Sequence, residues 1–193
     1  LLTYNPNYQG LGGVDHFVCV LGLDGGRLHL HDPAGFPCMS MDFDDFAKAW
    51  EARTISYRRG SFSMWGGFTR VREPSSEEIY REVSSIMRRR YEGGEQGVIR
   101  AYAEAIRRNG MSPQQKGIHQ YFSFRLAAAR SIYAARFLAE HDAERAELKE
   151  RIASLFGRAH LHSLAEDNEA LADTLGRIAE LDDRFRELCI LRG

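Results

Sequence analysis

Hydrophobic and polar residues alternate in two rhythms along this chain, and the rhythm changes near Pro74. Before Pro74 the apolar positions come in short runs of the kind a half-buried strand needs, at 14–23, 27–32, 53–58 and 67–72. Val14 to Leu23 is rich in Val, Leu and Phe. Asp24-Gly25-Gly26 is a strong hairpin turn signal, and Arg27 to His31 alternates polar with apolar. The segment Asp42 to Trp50 predicts a helix with Phe43, Phe46, Ala47 and Trp50 on one face.

After Pro74 the period becomes helical. Ser75 and Glu78 form a capping box, in which the serine hydroxyl takes an early backbone N–H and the glutamate reaches back. Ile79, Tyr80, Val83, Ile86 and Met87 then predict a buried stripe. A second helix is expected from about Glu95 to Asn109, with Val98, Ile99, Tyr102 and Ile106 inward and a stop at Asn109-Gly110. Ser112-Pro113 opens a third, long helix. A fourth runs from about Ala143 to His160 and a fifth from about Ala165 to Leu191. On the fifth, Leu171, Leu175, Ile178, Leu181, Phe185 and Leu188 share one narrow face. That face suits an antiparallel partner inside the domain or, more sharply, a homodimer seam. The expected class is α+β, with an antiparallel part over residues 1–73 and an all-α helical bundle over 74–193.

Composition narrows the function classes. A chain of 193 residues with 44% hydrophobic content can pack one or two domains. A net charge of -1 offers no global electrostatic case for nucleic acid. The longest apolar run is far short of the roughly 20 residues a membrane span needs, so no membrane is expected. Three cysteines, Cys19, Cys38 and Cys189, are few and odd in number, which suggests a reducing, cytoplasmic setting. No phosphate-binding loop, nucleotide fingerprint or Gly-x-Ser-x-Gly elbow occurs, and no cofactor is expected.

The candidate chemistry lies in the hairpin. A two-residue loop starting at Asp24 or Gly25 puts His16 opposite residues 33 to 35, with Asp32 one to three residues away. Neighbouring strands are about 4.8 Å apart, so this imidazole and this carboxylate can hydrogen-bond. Such a pair is the orienting half of a nucleophile–His–Asp triad. His16 would be the general base and then the general acid, and Asp32 would hold the tautomer. Read plainly, His16 is a strand histidine and Asp32-Pro33 a turn dipeptide. Cys19 is three residues from His16, on the opposite face of a strand, and is expected in the core. Cys38 lies in the segment Ala34 to Ser40, read as a loop, from which its thiol can reach the His16 side. Cys189 is expected to pack. His29 and His31 share a face, but no third ligand stands at a recognisable spacing, so no metal is expected. His160 and His162 diverge on a helix, and Arg88, Arg89 and Arg90 point around their helix into solvent.

The pattern His16-Phe17-Val18, Val20, Gly22, Asp32-Pro33 and an acidic helix ending at Trp50 resembles the papain-like fold of the C39 peptidase type. More narrowly it resembles the N-terminal domain of the butirosin biosynthesis protein H family. Residues 74–193, in particular Arg125 to Leu138, look like the helical domain that follows in that family. The resemblance implies that residues 1–73 are the C-terminal half of a papain-like domain and that the nucleophilic cysteine lies upstream of Leu1. It further implies acyl transfer through a thioester, from an acyl carrier protein to an amine on a small molecule. Carrier proteins are acidic, so Arg125, Arg130 and Arg136, or the cluster at 88–90, would form the dock. A cysteine peptidase or amidase on the same scaffold, and a non-catalytic interaction protein, are the alternatives.

Overall fold

The computed structural model describes residues 16–33, 35–53, 61–94 and 96–192. The chain divides into two compact units between Val71 and Arg72.

In the first unit three strands, β1 (Cys19–Asp24), β2 (Arg27–Asp32) and β3 (Phe36–Asp42), form an antiparallel sheet in the order β1-β2-β3. Asp24 pairs with Arg27, so Gly25 and Gly26 are the whole turn. Both have positive φ, 55° and 79°, as a type I′ turn requires and as glycine permits. Alternation along β2 buries Leu28, Leu30 and Asp32, and turns His29 and His31 to the other face. Leu28 and Leu30 pack with Met41 of β3 and Phe46 of α1 (Phe43–Trp50). Asp42 caps α1 by accepting the amide N–H of Asp44 at 2.9 Å.

Three expectations need correction in this unit. The segment 36–42 is a strand, although Pro37 within it weakens the strand signal. Because β3 is an edge strand, a proline there need not break a ladder. Residues 67–72 form no strand. Gly67, at φ 67°, breaks the extended run, and Phe68 and Val71 are solvent-exposed. Cys19 is exposed rather than core, because β1 buries almost none of its residues. The expected strand start at 14–15, and most of the run 53–58, lie outside the described residues.

The second unit is helical: α2 (Ser76–Gly93), α3 (Val98–Asn109), α4 (Pro113–Ile118), α5 (Phe124–Leu138), α6 (Ala143–Leu164) and α7 (Asn168–Arg192). A π-helical turn, His119–Ser123, joins α4 to α5. Both serine capping boxes form, Ser75 with Glu78 and Ser112 with Gln115. The apolar face of α7 is covered within the unit. Leu171, Leu175 and Ile178 pack with Ile106, Phe124 and Leu155, while Phe185 and Leu188 pack with Leu138 and Leu148.

The stripe expected on α2 is rotated. Ile79, Val83 and Ile86 are exposed, while Tyr80, Ser84, Met87 and Tyr91 face α7. That face packs Tyr80, Met87 and Tyr91 on the core around Phe185 and Leu188, and it meets Arg145 of α6, which is 2% exposed and reaches the Tyr80 hydroxyl and Ser84 Oγ. A buried guanidinium needs polar partners, and Tyr80 and Ser84 supply two of them.

Candidate functional site

Asp32 continues the buried row of β2 beyond Leu28 and Leu30, which puts a carboxylate where an apolar side chain would otherwise sit. Its side chain is fully buried, at 0% exposure, and its Oδ1 lies 2.7 Å from His16 Nε2. The His16 ring keeps 30% exposure. One member of the pair is thus inside the sheet layer and the other reaches solvent.

The geometry sets the tautomer. A carboxylate accepts, so Nε2 carries the proton in the neutral ring and Nδ1 is the basic nitrogen. His16 lies three residues before β1 begins. Its neighbour Phe17 stacks edge-on against Trp65 at 5.1 Å. Trp50 Nε1 donates to the carbonyl of Ser63 at 2.8 Å and meets the Phe62 ring at 5.4 Å, so α1 holds the 62–65 segment. Trp65 thus contacts Phe17, the residue that follows His16. The only signal in the chain was the aromatic and glycine cluster from Phe62 to Phe68.

The thiols take other places. Cys38 sits at a β-bulge, where Pro37 and Cys38 stand opposite His31. Its φ is 54°, and its amide donates to His31 Nδ1 at 2.8 Å, so the bulge in β3 contacts His31. Cys19 pairs with His31 in the β1–β2 ladder. Cys189 is buried in the helical unit, where Arg145 Nη1 approaches its Sγ at 3.8 Å. Burial pushes the Cys189 thiol above its usual range, against the pull of Arg145. Among the described residues no three His, Cys, Asp or Glu side chains are placed to hold a metal ion.

The helical unit holds a second polar cluster that the sequence reading missed. Asp142 caps α6 through the Arg145 amide at 3.0 Å. It also takes Arg145 Nε at 2.9 Å and Arg192 Nη1 at 3.0 Å. Burial would raise the Asp142 carboxyl, but these bonds outweigh it and hold the group below the ordinary range. Elsewhere His119, in the π turn, bonds the Tyr102 hydroxyl through Nε2 and stacks on Phe124 at 4.4 Å. Its Nδ1 is buried without a partner, and burial pushes its pKa down.

Fold and sites define an α+β protein: a small antiparallel unit with a buried acid–imidazole pair, and a helical unit built on α6 and α7. The chain belongs to the YobF C-terminal domain family, which matches residues 90–189. It is 31% identical over 193 residues to an uncharacterized protein, YobF, of Bacillus subtilis strain 168, across 96% of this chain. The chain spans 63% of that relative's length. No solved structure matches. These findings overturn the resemblance to the butirosin biosynthesis protein H family and to C39 peptidases. The family match lies in the helical part, and the hairpin pattern His16 to Pro33 is what any tight two-residue hairpin with a buried acid would show. No helix of the described residues is long and apolar enough to cross a membrane.

Proposed function

We propose that His16 and Asp32 are the base and orienting carboxylate of a site for nucleophilic acyl transfer. The observation that carries this reading is the 2.7 Å bond between a fully buried carboxylate and a ring that still reaches solvent. A thiol outside the described residues, or water, would give its proton to His16 Nδ1 while its sulfur or oxygen attacks the acyl carbon. The same nitrogen would return the proton to the departing group. Asp32 would steady the imidazolium formed between those steps without itself being protonated.

Transfer to an amine and hydrolysis share these steps and differ only in the acceptor. The carrier-protein donor and small-molecule amine rested on the resemblance now withdrawn, so the reading stands without them. A non-catalytic interaction protein is the second reading. It is favoured by the exposed apolar residues Phe17, Val20, Leu21 and Leu23 in and beside β1.

The test is turnover of a panel of small acyl thioesters by the full-length protein, together with iodoacetamide labelling. His16→Ala should lower turnover about 100-fold or more while the circular dichroism spectrum stays unchanged. Turnover equal to that of the parent protein would refute the assignment.

A further inference from the structure

From Pro113 through Leu138 the chain contains no aspartate or glutamate, yet it carries Lys116, Arg125, Arg130 and Arg136. The whole chain has a net charge of -1, so this helical stretch is a local basic island. Lys116 is already paired, with Glu166. Arg125, Arg130 and Arg136 are exposed. None of them makes an ion pair among the described residues.

At about 100° per residue, Arg125, Ile132 and Arg136 of α5 fall within about 40° of one another on the helix surface. The two guanidiniums are rooted roughly 16 Å apart along the axis. Arg130 falls on a different line. Between and beside these arginines the helix exposes Ile132 and Tyr133, with Ala129 half-buried. Just before α5 the π turn inserts an extra residue per turn and leaves Tyr121 and Phe122 both exposed, at 64% and 59%. The result is a strip of aromatic and aliphatic side chains edged by unpaired arginines. Aromatic and arginine side chains are the types that anchor protein interfaces.

We propose that this strip, from Tyr121 to Arg136, docks a protein partner through an acidic amphipathic helix. The partner's carboxylates would meet Arg125 and Arg136, and its apolar residues would cover Phe122, Ile132 and Tyr133. An anionic bilayer fits less well. The corner beside α4 carries Glu166, Asp167 and Glu169, and the bonds from Gln120 to Ser163 and from Lys116 to Glu166 tie that corner to the end of the strip. These acids lower the positive charge at that end of the strip, which counts against a broad anionic surface more than against a helix whose carboxylates meet Arg125 and Arg136. This inference does not depend on the His16–Asp32 reading, and its test involves no turnover.

The experiment is fluorescence anisotropy of the chain with a synthetic labelled helix that carries leucines along one face and glutamates flanking them, two of them eleven residues apart. Phosphatidylserine-containing vesicles and a single-stranded oligonucleotide serve as competing probes. The peptide should bind, and affinity should fall as salt rises. The double variant Arg125→Glu, Arg136→Glu should weaken binding about tenfold or more. Arg130→Glu, which changes the net charge in the same direction, should stay within about twofold. An unchanged melting curve would confirm that each variant is folded. No peptide binding would overturn the proposal, as would equal loss in the Arg130 variant. So would tighter binding of vesicles or oligonucleotide, or a dimer in sedimentation that the double variant abolishes.

Discussion

Among the described residues each unit buries a charged side chain against a hydrogen-bonding partner, and the two differ in what surrounds the pair. Arg145 is locked on all sides. Asp142, the Tyr80 hydroxyl, Ser84 and the Cys189 sulfur take up its donors, and Asp142 is held in turn by Arg192. Asp32 is equally buried, but one of its bonds runs to a ring that reaches solvent. A charge held by permanent partners stabilises a fold. A charge held by a titratable, accessible partner can serve chemistry.

The largest effect expected from this contrast is on stability in the helical unit. Arg145→Met should cost about 3 kcal/mol, because it removes one member of a buried, hydrogen-bonded charge pair. Asp32→Asn keeps the shape and one acceptor, and should cost no more than about 1 kcal/mol. Urea unfolding of both variants measures the difference. Equal costs would erase the distinction between the two sites.

Turnover should reverse that order. In the full-length protein Asp32→Asn should lower acyl-thioester turnover about 100-fold or more, because the amide would favour the wrong tautomer of His16. Arg145→Met, assayed under conditions where it is folded, should keep most of the activity. A folded Arg145 variant that loses turnover as severely as the Asp32 variant would place the chemistry in the wrong unit.

Local signals were legible in the sequence, and long-range ones were not. The approach of His16 to Asp32 could be read because a two-glycine turn brings both within the span of one hairpin, even though a bulge between Val20 and Gly22 shifts the register by one residue. The capping box at Ser75 and the apolar face of α7 depend on positions three or four apart, whereas the box that Ser112 makes with Gln115 went unread behind Pro113. On α2 the inward row Tyr80, Ser84, Met87 and Tyr91 competes with the more apolar row Ile79, Val83 and Ile86, and the contacts of Arg145, 65 residues from Tyr80 and 61 from Ser84, that favour the first are not announced within α2. The strand β3 was hidden because Pro37 and the bulge at Cys38 hide a strand signal that an edge position tolerates. The hairpin pattern was also read too specifically: a buried acid facing a histidine across a turn describes a geometry, not a family.

A pH titration sharpens the comparison at a smaller scale. Burial lowers the pKa of His119 in the folded chain below its ordinary 6.5. Between that lowered value and 6.5 the unfolded chain binds more protons, so the stabilising contribution is complete above 6.5 and is lost as pH falls below it. Asp142 acts in a separate window. Its folded pKa lies below 3.8, so its contribution is present above 3.8 and goes as pH falls through the folded value. Unfolding midpoints measured between pH 7 and pH 5 should therefore decline, and His119→Gln should flatten that decline without touching the steeper loss in stronger acid. An unchanged slope in the variant would assign the decline to another group.

The smallest effect should come from the residue that looks most like Arg145 on paper. Arg107 also meets several carboxylates: Glu104, Glu169 at 3.1 Å and Asp173 at 2.5 Å. Its partners are exposed, however, and water and salt screen them. Three ion pairs at the surface should therefore count for less than the one charge pair beneath α2. Arg107→Gln should leave the urea midpoint unchanged at physiological salt and shift it slightly downward only at low ionic strength. A loss at high salt comparable to that of Arg145→Met would mean that partner number, and not burial, decides what a charged side chain contributes to this fold.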